Sequence, residues 1–324
     1  MALPSQADAS IGQLVATWQT AEIQVRNRLA DWAAKYPAGA ASAANLTQAL
    51  GVIEQHIDAA TGVTKQFYEE QLPNIYMAGA ADAVSVGLNF DPTMVTTETV
   101  ERLASTGWDD LLKATTHVES ATKRALRSIV RNEVGMSVLA GEPGATASRA
   151  GERAARDAEQ IMTVTYANGA THSVADYIDT ATRTTTIGVF NAGGFDLARA
   201  NDVEWMEVFD SADCGWDGHD DDDLADGTIR HIDDCEEHDS SHPRCVRSFA
   251  PRPDITNTRE AADAAVYTPD EQQARAAAER VRAAEATTPV VGRTLTVPAQ
   301  EARAAGRQPR EPRSGGRVAR TPRR

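Results

Sequence analysis

Aromatic residues make up only 5% of this 324-residue chain, and cysteine occurs just three times. No uninterrupted apolar run approaches the ~18 residues that a membrane span requires. With so few aromatics in an Ala-rich composition that is 41% hydrophobic, packed helices fit better than a sandwich of aromatic-rich strands. An odd, small number of cysteines excludes a disulfide scaffold. Basic residues are the minority: 32 Lys plus Arg against 47 Asp plus Glu give a net charge of −15, which excludes a chain-wide basic surface for gripping nucleic acid. The opening MALPSQADASIGQLVATW has neither a basic n-region nor a continuous apolar h-region, so a soluble protein made in a cytoplasm is expected. G-x-x-x-x-G-K-[ST], G-x-S-x-G and H-E-x-x-H are all missing.

What is present begins with helical periodicity. Ile11, Leu14, Val15, Trp18, Val25, Leu29 and Trp32 recur at helical spacing until Pro37 and Gly39. A second helix is predicted from Ser42 through Ile57, and a third through Phe67 and Leu72, ending before Pro73. The Ala-rich segment Ile75 to Val86 reads as a buried helix. Further helices are predicted over Thr97–Ser105 and from Trp108 toward Leu139, with a break at Gly141 to Ser148.

Beyond Asp157 the period changes to alternation around Met162 to Tyr166. Asn168-Gly169 and Thr171 to Val174 follow, which predicts a hairpin. A helix from Tyr177 to Phe190 should end at Gly193-Gly194, and strands are expected over Val203–Phe209, Thr228–Ile232 and Cys245–Phe249. Thr268-Pro269-Asp270-Glu271 is a capping-box start for an exposed helix to about Ala286. From Thr288 onward, Pro, Gly, Arg and Ala predict disorder. The expected fold is therefore α+β and predominantly α-helical. Residues 1–155 form a helical region, 156–254 a small mixed α/β zinc-binding-like domain, and 255–324 an exposed helix with a disordered Arg-rich tail.

Charge and metal-ligating residues are unevenly spread. All three cysteines and His219, His231, His238 and His242 fall between Trp205 and Pro253. Cys214 and His219 form a C-x4-H pair, and His242 and Cys245 an H-x2-C pair. Two close pairs separated by a loop are the usual sequence form of a tetrahedral zinc site, and four protein ligands would make it structural. Cys235, His231 and His238 are alternative ligands. Asp220 to Asp223 do not fit a calcium loop, since Leu224 falls where a ligand is required if Gly227 is the turn glycine, so they read as a solvated acidic loop. Trp205 and Trp216 are expected to pack in the core or shield the site, and Arg183 to pair with an acid of the fold.

The order of these features resembles a known family. VTYANGATHSV, then Tyr177 with Arg183-Thr184-Thr185, Asn191 to Gly194, VEWMEVFDSADC, Asp226-Gly227 and the H-P-x-C element His242 to Cys245 followed by Pro251 are similar to the C-terminal region of MuF-like minor capsid proteins of tailed bacteriophages, the phage head morphogenesis proteins. LPNIYMAGAADA (Leu72 to Ala83) resembles the Tyr/Gly-containing helix of their N-terminal part. The likeness spans about residues 60 to 254, making 156–254 the MuF-like domain. Many members carry C-x2-C where this chain has Cys214-x4-His219, and H-P-N-C-R-C where it reads HPRCVR.

The resemblance implies a low-copy structural protein on the inner side of the virion head. It would be made in the host cytoplasm, join the procapsid beside the portal protein and the capsid or scaffold proteins, and act in assembly, DNA packaging or ejection. It implies no enzyme and no membrane partner. The tail adds a DNA-contacting expectation of its own, because Arg303, Arg307, Arg310, Arg313, Arg317, Arg320, Arg323 and Arg324 can neutralise phosphates of packaged DNA. A second reading, from another class, is a zinc-dependent hydrolase or nuclease with His231 or His238 near the metal and the acidic loop as base.

Overall fold

The computed structural model describes residues 5–35, 43–84, 87–89, 100–102, 104, 105, 107–109, 162–165 and 169–287. By its internal contacts the chain groups into two compact units, Met1–Ala283 and Ala284–Arg324. The architecture is α+β and predominantly helical. Of the helices predicted from Thr97 to Leu139, residues 100–102, 104, 105 and 107–109 are described and helical. The remainder of those helices, the break at Gly141 to Ser148 and the tail from Thr288, including the eight arginines from Arg303 to Arg324, lie outside the described residues.

Helix α1 (Ser5–Lys35) buries Ile11, Leu14, Trp18, Ala21, Val25, Leu29 and Trp32. Their alternating spacing of three and four puts them on one stripe, and burying a side chain of this size contributes about 1.5–3 kcal/mol. The stripe packs against α2 (Ala43–Gln66), where Trp18 Nε1 donates to Thr64 Oγ1 at 2.9 Å and that hydroxyl donates on to the Ala60 carbonyl. The indole N–H therefore enters the core without losing a hydrogen bond.

The helix predicted to end before Pro73 does not end there. The chain remains helical from α2 through a π-helical turn (Phe67–Gln71) into α3 (Leu72–Val84). A proline inside an α-helix lacks its N–H and presses on the carbonyl four residues back, here that of Glu69. The wider π turn lies at the place of that conflict and turns Phe67 and Tyr68 into the core.

Helix α4 (Val174–Ala200) starts where Ser173 accepts the Asp176 N–H. A second first-turn donor, Ala175 N–H, is taken by the buried carboxyl of Glu22 from α1 at 2.8 Å. The end predicted at Gly193-Gly194 is passed by two turns, because these glycines serve packing rather than termination. A Cβ on Gly193 would lie 2.1 Å from the Tyr76 carbonyl oxygen, and one on Gly79 of α3 would lie 1.8 Å from that of Phe190. The two helices cross backbone to backbone, which only glycine permits.

The predicted hairpin forms as β1 (Thr163–Thr165) and β2 (Thr171–Ser173), with Val164 opposite His172 and Gly169 at φ 84° in the connection. The second sheet contains β3 (Trp205–Phe209), β4 (Ile229–His231) and β5 (Ser248–Pro251) in the antiparallel order β4-β3-β5. Met206 and Val208 face a core with Phe195 of α4 and Phe249. Trp205, on the opposite face, packs with Ile229 beneath α6 (Thr258–Ala264). The strand predicted from Cys245 begins three residues later, because His242 to Cys245 is a turn. Ile232, assigned to a strand, opens α5 (Ile232–Glu237). Helix α7 (Pro269–Thr287) begins with the predicted capping box, Glu271 accepting from both the N–H and the hydroxyl of Thr268.

Candidate metal centre

Two loops meet beneath the three-stranded sheet. The first follows β3: Ser211 accepts the Cys214 N–H, and the chain doubles back so that Gly215 bridges Leu224. The excursion between them is the acidic loop. It is held by Asp221, whose carboxylate accepts from the Asp217 and Asp223 N–H groups, and these backbone bonds keep that carboxyl below its ordinary range. Asp223 pairs with Arg230 at 2.7 Å. The close return requires Gly215, where a Cβ would lie 2.4 Å from the Gly218 carbonyl oxygen.

The second loop is the turn His242-Pro243-Arg244-Cys245, closed by Cys245 N–H donating to the His242 carbonyl at 3.0 Å. Proline at the second position and a left-handed third residue, Arg244 at φ 66°, are the type II pattern. Such a turn brings its first and fourth residues together, so H-x2-C is the spacing that puts imidazole and thiol on one side. Arg244 pays for its unusual backbone with an ion pair to Asp179 of α4 and a hydrogen bond from its N–H to Thr184 Oγ1.

Together the loops gather Cys214, His242 and Cys245, with one donor atom from each within 4.8 Å of the others. Both thiols are buried. His242 Nδ1 lies 2.8 Å from the Pro243 carbonyl, which only accepts, so Nδ1 carries the proton in the neutral ring. The Nε2 lone pair then faces Cys214 Sγ at 3.3 Å, the tautomer that a metal requires. The Cys245 thiol is pushed down by its hydrogen bond with Cys214, helped by the N–H groups of Ser241 and Arg247, while Cys214 is pushed up as the proton-holding partner. Two adjacent sulfurs, one disposed to ionise, and a correctly presented imidazole make a group that can hold a metal ion.

The other predicted ligands are placed differently. His219 is exposed, with Nδ1 3.7 Å from Cys214 Sγ and its ring edge-on to His242. It borders the trio without joining it. Cys235 is fully buried in the apolar cluster with Phe195, Met206 and Phe249, and that burial pushes its thiol up. His231 accepts the Asp233 N–H at the start of α5 and stacks edge-on to Trp205. His238 presents Nδ1 to the Asp234 carbonyl and Nε2 to Asp217, and lies against Trp216. Arg183 pairs with Asp179 at 2.9 Å and Asp8 at 2.6 Å, as expected of a fold-internal cation.

The residue that sequence reasoning missed is Arg247. Its side chain is 0% exposed, and so is that of its partner Asp210, which accepts from Nε at 2.8 Å. Nη1 donates to the carbonyls of Trp216 and His238, and Nη2 to that of Gly215. The guanidinium also lies 4.8 Å from the centre of the Trp216 ring, which Arg230 covers at 4.6 Å. Asp210 is itself 3.7 Å from Cys245 Sγ, and burial raises its carboxyl. The one signal available was an arginine inside the short strand predicted over Cys245–Phe249, where a buried charge survives only with a partner.

The chain shows no significant match to any protein-family model, to any curated protein or to any solved structure.

Proposed function

We propose that this chain is a structural minor capsid protein of the MuF-like kind, acting in phage head morphogenesis beside the portal, with zinc as the ion of its Cys/His group. The carrying observation is the H-P-x-C turn. It brings His242 and Cys245 to Cys214, and it is the element on which the sequence resemblance most rests. Two thiolates and one imidazole are a borderline-soft donor set that suits zinc, and His219 borders the group with Nδ1 3.7 Å from Cys214 Sγ.

The test is co-purification of the tagged protein with portal-containing procapsids, alongside metal analysis. Stoichiometric zinc in the wild type and none in the Cys214→Ser, Cys245→Ser double variant supports the site; zinc retained by the double variant refutes it. Failure to associate with procapsids refutes the assembly role.

One observation favours the hydrolase reading: three donors converge rather than four, beside a cleft of about 480 Å³ lined by Tyr177, Thr180, Thr184, Ser240, Ser241 and His242. That reading needs His231 or His238 near the metal with the acidic loop as base, and neither histidine lies in the trio. It predicts metal-dependent cleavage of DNA or ester substrates, which the assembly reading does not.

A further inference from the structure

We propose that Cys214 and Cys245 form a modification site, a thiol pair that a peroxide closes into an intrachain disulfide whenever no metal holds it, without unfolding the protein. The inference shares its donor atoms with the metal reading but concerns the metal-free protein.

Three observations carry it. First, the two sulfurs come from separate loops and lie within 4.8 Å of each other, both nearly sealed from solvent. A disulfide bond is about 2.0 Å long, so closing the pair is a movement of less than about 3 Å between the two sulfurs. Second, the loops that carry them are fastened independently of any ion. Arg247 binds Asp210, Gly215, Trp216 and His238 with one planar cation, spanning both sides of the thiol pair. In many small metal-binding domains the ion is the cross-link, and without it the chain unfolds. Here a guanidinium already occupies that role, so the thiols remain neighbours when the metal leaves. Third, the cleft beside the pair reaches Ser241 and His242, and Ser241 Oγ is 3.8 Å from Cys245 Sγ. A small oxidant therefore has a polar approach to the buried sulfur.

The chemistry closes without another reactant. The Cys245 sulfur attacks one oxygen of hydrogen peroxide; the O–O bond breaks, the sulfur becomes a sulfenic acid, and the departing hydroxide takes up the thiol proton as water. Cys214 then attacks that sulfur, the S–O bond breaks, and hydroxide leaves with the Cys214 proton as a second water. Two thiols supply two electrons and peroxide is reduced to two waters. A bound metal ion prevents the first step by occupying the sulfur lone pairs. Cys235 is an internal control, since it belongs to the apolar core and not to the trio.

The experiment uses the full chain, reduced, stripped by a chelator and treated with hydrogen peroxide, followed by alkylation and peptide mass spectrometry. The expected result is loss of two of the three thiols, a Cys214–Cys245 cross-linked peptide, unchanged far-UV circular dichroism, no intermolecular dimer, and full recovery with dithiothreitol. In Cys214→Ser the reaction should stop at a Cys245 sulfenic acid that dimedone traps. Preloading with Zn²⁺ should slow closure at least tenfold. Unfolding on chelation, a linkage through Cys235 or between chains, or three thiols surviving excess peroxide in folded protein would overturn the proposal. If closure is as fast with Zn²⁺ as without it, the thiol pair stands and the metal reading falls.

Discussion

Arg247 and Asp210 meet with both side chains withdrawn from solvent, Nε donating to Oδ2 at 2.8 Å. Removing one member of such a pair strands the other as a buried charge, which costs about 3–5 kcal/mol. Arg247→Met should therefore lower unfolding free energy by about 4 kcal/mol in urea titrations, and it also frees three carbonyls. Arg247→Lys should recover little, because a single ammonium cannot span Asp210 and the three carbonyls. A cost below about 1 kcal/mol for Arg247→Met would show that the pair holds nothing together.

The metal group predicts a graded set of affinities. With Co²⁺ as a spectroscopic substitute, Cys214→Ser, His242→Ala and Cys245→Ser should each weaken binding more than about 100-fold, exceeding the 10–100-fold typical of residues that only support ligands. His219→Ala should fall within that lower range, and Cys235→Ser should leave the spectrum unchanged. Equal losses for Cys235 and Cys214 would displace the site from where these atoms converge.

Helix α3 crosses α4 at Gly79 and Gly193, where a methyl group would overlap a carbonyl oxygen. Gly79→Ala and Gly193→Ala should each destabilise by at least the ~1–3 kcal/mol of an overpacked core, because backbone cannot step aside as a side chain does. Gly12→Ala and Gly51→Ala are the contrast. Neither would meet an atom within 4 Å, and each should raise stability by up to ~1 kcal/mol through helix propensity. Thermal denaturation of the four variants should show both signs.

Glu22 supplies the pH dependence of the α1–α4 contact. Burial raises its carboxyl above the ordinary range, against the opposing effects of the Ala175 N–H and Arg26. The folded chain thus holds this proton more tightly than the unfolded chain. Its contribution is fully present below the ordinary glutamate value of about 4.3, and is lost as pH rises through the raised folded value. Glu22→Gln keeps an acceptor for Ala175 but cannot ionise. Its stability relative to wild type should increase from pH 4 toward neutrality, as read from urea midpoints. A difference independent of pH would remove Glu22 from this role.

Much of the fold was legible because periodicity reports burial directly. The α1 stripe from Ile11 to Trp32, the hairpin at Val164 and the capping box at Thr268 all appear where the residue pattern put them. Local signals misled where tertiary packing prevailed. Pro73 and Gly193-Gly194 resemble helix ends, yet a π turn absorbs the first and α3 requires the second. At the site, His242-Pro243-Arg244-Cys245 announced itself through its spacing, since a turn is a local object. The C-x4-H spacing favours Cys214 over Cys235, and Cys214 does join the group, although His219, the other half of that pair, only borders it. Only the sheet separates the loop that reaches His242 from the helix that faces Phe249. Arg247 was hidden because its acceptors are mostly backbone carbonyls, which leave no trace in residue identity.

Helix α7 bears on how the small domain can be handled as a part. Gln272 donates to the Asp226 carbonyl, Arg275 pairs with the Asp226 carboxylate, and Glu279 accepts the Ala212 N–H, two residues before Cys214. Spaced by three and four, these side chains form one row of teeth set into the two ends of the β3–β4 connection, and Tyr267 covers the bare face of Gly227. A transplant or truncation that stops at Pro253 would leave those sockets empty. The portable piece runs through Glu279, and its helix tolerates substitution on its outer face far better than the insertion of a single residue, which would turn the row about 100° out of mesh.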